Sequence, residues 1–103
     1  MPYDLVIKQE AVEDATEAYI YYQEKQTGLG ERFLNALKEA YEKLQYHPQH
    51  YSYIDEDPGK IFRDIKLYKF PYVIVYEIST NEVIVYAVYC CYKNPIKKIK
   101  REA

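Results

Sequence analysis

The 103 residues contain no tryptophan, one methionine, three glycines and two cysteines. With so few glycines there is no Gly-rich phosphate loop, and neither a nucleophile elbow nor a His-Glu-x-x-His segment occurs. The cysteines are neighbours, Cys90 and Cys91. Adjacent side chains on a strand point to opposite faces, so a bridge between them would be badly strained. That excludes a disulfide framework, and a four-ligand zinc site lacks its donors. No apolar run approaches the ~20 residues of a membrane span. The opening "MPYDLVIKQE" has no basic or apolar leader region, which makes the cytoplasm the expected compartment. No metal and no cofactor is expected.

What is abundant is tyrosine, 14 residues, within a composition 49% apolar and 29% charged. Such a balance suits one folded domain over residues 1–103 and excludes a disordered chain. The net charge of −2 hides an asymmetry: residues 1–92 carry 9 Lys/Arg against 15 Asp/Glu, whereas residues 93–103, "KNPIKKIKREA", carry 5 against 1. The acidic body does not suit general nucleic-acid binding, while the tail is an electrostatic handle.

Periodicity predicts strand, two helices, then strands. "YDLVIKQ" alternates, and from Glu10 the spacing turns helical, with Val12, Ala15, Tyr19 and Tyr22 on one stripe and Glu13, Asp14 and Glu17 on other faces. "TGLG" breaks the pattern. A second helix carries Phe33, Leu37, Ala40, Tyr41 and Leu44 until His47-Pro48 stops it. So short a link predicts an antiparallel helical hairpin. Four strands are then expected at Tyr51–Ile54, Ile61–Leu67, Pro71–Ile78 and Glu82–Cys90, antiparallel because their connections are short. The fold class is α+β, the hairpin packing Val12, Tyr19, Phe33, Leu37 and Leu44 on one face of a twisted antiparallel sheet. The last two strands are apolar on both faces, so the other face needs a cover, from the tail or from a partner.

Polar chemistry is sparse. His47 and His50 lack a third ligand, and "DEDPG" (55–59) reads as a solvated turn. A basic set remains: Arg63, Lys66, Lys69 and Lys93. Arg63 and Lys66 are three apart on a strand and face opposite sides. They are either ordinary charges guarding sheet edges or contacts for phosphate and carboxylate.

From Tyr3 to about Lys98 the chain resembles the RelE/ParE superfamily of bacterial type II toxin–antitoxin toxins, which includes ParE-like plasmid stabilisation proteins. The resemblance rests on the element order, on "GERFLNALKEAYEKLQYHP", on "FRDIKLYKFPYVIVYEI" and on "VIVYAVYCCYKNP". It implies a small toxin neutralised by a partner protein that wraps its sheet. Many ParE-like relatives end the last strand with His-x-x-basic-x-Pro; here Cys90 takes the histidine position, while Lys93 and Pro95 match. The nuclease branch relies on several cations. Lys66 and Lys93 match, but Asp64, Val73 and Ile99 stand where a lysine, an arginine and a tyrosine would.

The resemblance therefore implies a ParE-like toxin that binds DNA gyrase and is held by a cognate antitoxin. Its partner-binding residues are Arg63, Cys90, Lys93, Lys97, Lys98, Lys100 and Arg101. One alternative is a ribosome-dependent mRNA endonuclease using Arg63, Lys66 and Lys93, and another is a non-toxic remnant that still binds antitoxin. A non-enzymatic role is favoured, because Asp64 opposes the phosphorane charge that RNA cleavage must stabilise.

Overall fold

The computed structural model describes residues 2–54 and 58–91. Alternation yields to helical spacing after Ile7, and there the chain turns from β1 (Asp4–Ile7) into α1 (Gln9–Lys25). Helix α2 (Leu29–Tyr46) follows, then a 3-10 turn (Pro48–His50) and strands β2 (Phe62–Lys66), β3 (Tyr72–Ser79) and β4 (Glu82–Cys90). The sheet order is β1-β4-β3-β2, with the two helices against one face, the α+β arrangement expected. Strands β2, β3 and β4 are antiparallel neighbours. Strand β1, however, runs parallel to β4, from Asp4↔Glu82 to Ile7↔Val85, so the sheet is mixed. Parallel neighbours need a long crossover, and everything from α1 to β3 serves as one.

Helix α2 buries the expected stripe, Phe33, Leu37, Ala40 and Leu44, against Ile65, Ile74, Tyr76 and Val85. Its entry is unusual. Gly28 sits in the left-handed region (φ 91°) and offers no capping side chain. The amide oxygen of Gln23 instead accepts the Gly28 and Gly30 N–H groups, at 3.2 and 3.0 Å. Two donors that a helix start leaves open are thus satisfied from α1. At the far end Pro48 stops the helix, and its carbonyl accepts the buried Tyr76 hydroxyl at 2.6 Å, which ties the 3-10 turn to β3.

Helix α1 departs from expectation. Its buried residues are Ala11, Asp14 and Ala18, while Val12 is 43% exposed and Tyr19 is half-buried. The inward face is therefore turned by about one residue. The cause lies in the sheet: β1 ends opposite Val85, and beyond it Asp14 Oδ2 accepts the Val88 N–H at 3.0 Å. A carboxylate replaces the missing strand and draws its own helix face inward.

Two further expectations change. Tyr51–Ile54 is no strand and makes only a bridge, Tyr53↔Arg63. The Arg63 guanidinium takes the Tyr51 carbonyl (2.7 Å) and reaches that of Gln49 (3.4 Å), while pairing with β2 rests on the Ile54 N–H to the Phe62 carbonyl and the Asp64 N–H to the Ser52 carbonyl. The sheet face away from the helices is also not left open. Val73, Val75, Ala87 and Tyr89 are buried there with Ile54, and Phe62 packs beside them. No helix among the described residues is long and apolar enough to cross a membrane.

Candidate interaction site at the end of the last strand

Antiparallel pairing sets Cys90, the last residue of β4, opposite Tyr72, the first of β3. A register shift between Val75 and Tyr76 inserts one extra residue in β4, and this bulge decides which face the strand end presents. Val88 accordingly joins the helix-side core, whereas Ala87 and Tyr89 turn to the opposite cluster. Over this end lies α1. Asp14, Glu17, Ala18 and Tyr21 fall at i, i+3, i+4 and i+7 and share one helix face. Together with Tyr72, Val88, Tyr89 and Cys90 they line a recess of about 210 Å³. Ala18 is buried and small, which is what leaves the space.

An aromatic cluster supports the recess from behind. Tyr22 and Phe33 each pack edge-on against Phe70 and Tyr72, with ring centroids 5.0–6.0 Å apart. Burial pushes the Tyr22 phenol from 10.0 up to about 12, helped by the Tyr72 and Tyr21 phenols and the Cys90 thiol. Tyr72 is raised for the same reasons, burial first, then Cys90, Tyr21 and Glu17. These hydroxyls therefore stay neutral donors at ordinary pH. Cys90 is a half-buried free thiol and Cys91 an exposed one.

A pH prediction follows from these phenols. Burial, aided by the nearby charge of Asp14, also raises Tyr41 to about 12. The folded state holds these protons more tightly than the unfolded chain, whose phenols ionise near 10. The stability they contribute is complete below pH ~10 and is lost as pH rises toward about 12. Urea midpoints across that window should fall steadily, and near-ultraviolet absorbance should show a late-titrating tyrosine class. A flat midpoint would refute the burial of these hydroxyls.

Among the described residues, Arg63 and Lys66 do not converge. Arg63 packs over the Tyr53 ring, 4.1 Å from its centroid, and donates to the Tyr53 hydroxyl and the Tyr51 carbonyl. It fastens the segment before β2 rather than standing free. Lys66 is exposed and pairs with Val73, on the sheet face opposite Arg63. Lys93, Lys97, Lys98, Lys100 and Arg101 lie outside the described residues. No lysine or arginine lines the recess beside Cys90 among the described residues. A second concavity, about 260 Å³, runs between the helices and is apolar, with Val12, Leu34, Leu37 and Tyr41 among its walls.

Strand–helix–helix–sheet order and the mixed sheet define a small α+β domain, and comparison with known proteins places it in a family. The family described as ParE toxin of type II toxin-antitoxin system, parDE, matches residues 5–91, and the chain belongs to it. Among solved structures, a chain of the chromosomal ParDE TA system from P. aeruginosa shares the fold, with TM-score 0.68 and 20% identity over 84% of this chain and 92% of that one. No curated protein matches the chain.

Proposed function

We propose that this ParE-family chain acts by binding, with DNA gyrase as its target, in the cytoplasm, and that a cognate antitoxin silences it. The observation that carries the choice of mechanism is the make-up of the strand end. Cleavage of RNA needs several cations around one scissile phosphate. Here Asp14, Glu17 and neutral phenols line the recess, Arg63 is engaged elsewhere, and Lys66 lies on the other face. A purified sample should inhibit gyrase supercoiling and leave ribosome-bound message intact in primer extension. Cleavage within codons that disappears in Lys66→Ala or Lys93→Ala would overturn this reading in favour of the nuclease.

For the antitoxin, the supporting surface is the apolar groove between the helices rather than the sheet face, whose core positions are already buried. Ile7, Val12 and Leu34 are 36%, 43% and 41% exposed there, more apolar side chain than scattered surface residues require. Leu34→Asp should weaken antitoxin binding by about tenfold or more, since it places a charge in an apolar contact. Isothermal titration would check this, and unchanged affinity would remove the groove from the interface. We assign the polar part of this interface to Cys90 and, from the sequence, to Lys93, Lys97, Lys98, Lys100 and Arg101. Its contribution should shrink as salt rises, because exposed charges are screened over about 8–10 Å.

A further inference from the structure

We propose that the recess beside Cys90 is a receptor for a single arginine side chain presented by the antitoxin. Its chemistry selects a cation. Two acidic residues of α1, Asp14 and Glu17, line the recess together with Tyr21 and Tyr72. Asp14 is already committed to the Val88 amide. Glu17 is exposed, and its carboxylate makes no hydrogen bond or ion pair among the described residues. With two carboxylates and no lysine or arginine lining it among the described residues, the recess repels phosphate or carboxylate and attracts positive charge.

The preference for arginine over lysine comes from shape. A guanidinium is planar, stacks on a tyrosine face and binds a carboxylate through two parallel N–H donors, which a compact ammonium cannot do. The chain uses the same contact internally, where Arg63 lies over Tyr53 at 4.1 Å. Lys25 sits over the Tyr21 ring, 5.0 Å from its centroid, so this ring already engages a cation. Ala18 at the base leaves depth for the guanidinium, and the thiol of Cys90, a small hydrophobe, leaves room that an imidazole would fill.

The donor's identity rests on the toxin–antitoxin reading; the recess's selectivity does not, and the two are tested separately. The full chain, labelled with nitrogen-15, is titrated with N-acetyl-arginine methylamide and with its neutral citrulline and ammonium lysine counterparts. Arginine should shift the amides of Glu17, Tyr21, Val88 and Cys90, with citrulline and lysine weaker by about fivefold, the size of one partly exposed charge or stacking contact. Glu17→Gln should lower arginine affinity by a similar factor, whereas Leu34→Asp in the helical groove should leave it unchanged. Equal response to citrulline, or shifts confined to other residues, would overturn the receptor. A variant with Lys93, Lys97, Lys98, Lys100 and Arg101 all changed to serine tests a rival occupant. If only that variant binds the probe, the chain's own tail fills the recess and the proposal fails. Finally, Glu17→Gln should weaken the antitoxin complex; an unaffected complex would refute the antitoxin as donor even where the probe binds.

Discussion

Phe33→Ala is expected to cost about 3–5 kcal/mol of folding stability, against the roughly 5–15 kcal/mol that a domain of this size usually has. Phe33 is fully buried, and its ring meets Tyr22, Phe70 and Tyr72 with centroids 5.6, 5.5 and 5.3 Å away. Alanine would remove the hub of this cluster and leave a void that three rings, anchored in three separate segments, cannot all close. Urea denaturation should show a lower midpoint with an unchanged slope, and Phe33→Leu should recover most of the loss. A cost below about 1.5 kcal/mol would mean that the site collapses easily and the cluster is loosely packed. Because Tyr72 also walls the recess beside Cys90, the same change should blur the shape of that site.

Gly30→Ala should be the next most damaging. A methyl group there would stand 2.8 Å from the Tyr19 carbonyl, from Tyr19 Cδ1 and from Gln23 Oε1. The first is backbone and cannot swing away. The last is the oxygen that caps α2, so relieving the clash breaks the cap. Overpacking costs about 1–3 kcal/mol and loss of a cap about 0.5–2, which together suggest roughly 2–4 kcal/mol. The nearby Gly28 is an informative contrast. A methyl there meets nothing within 4 Å, and the penalty arises only from its φ of +91°. Gly28→Ala should therefore cost about 1 kcal/mol. Combining Gly30→Ala with Gln23→Ala should be clearly less than additive, since both remove the same cap. Additive losses would show that the clash and the cap are independent.

Element order and the α2 stripe were legible because periodicity records them directly: Phe33, Leu37, Ala40 and Leu44 repeat at helical spacing and are buried. The inward face of α1 was not legible. Asp14 looks like any solvated acid until β4 is seen to have a bare amide beside it, and a buried carboxylate reverses the apparent polarity of its helix. Likewise nothing local distinguishes Tyr51–Ile54 from a strand; its pairing with β2 is confined to one bridge, beside which Arg63 holds the Tyr51 carbonyl. Of the candidate site, Cys90 was legible as the end of the last strand. Glu17, Tyr21 and Tyr72 were not, because among 14 tyrosines the few that converge are chosen by packing alone. One signal was available: Asp14, Glu17, Ala18 and Tyr21 share a helix face with a small residue at its centre.

The parallel pairing of β1 with β4 also orders events in time. Asp4 finds its sheet partner at Glu82 and Ile7 at Val85, so the first strand formed by the chain has no neighbour until the last strand exists. The helical hairpin and the β3–β4 ribbon can form early from local contacts. Docking β1 must close the longest loop between sheet partners, which is entropically expensive and leaves it to follow the local contacts, after the folding barrier. Changes within β1, such as Leu5→Ala, should thus act mostly on the unfolding rate, and changes at the β3–β4 turn on the folding rate. A nascent chain interrupted before β4 would hold its helices but not its sheet, and with the sheet missing neither Cys90 nor Tyr72 could complete the strand-end site.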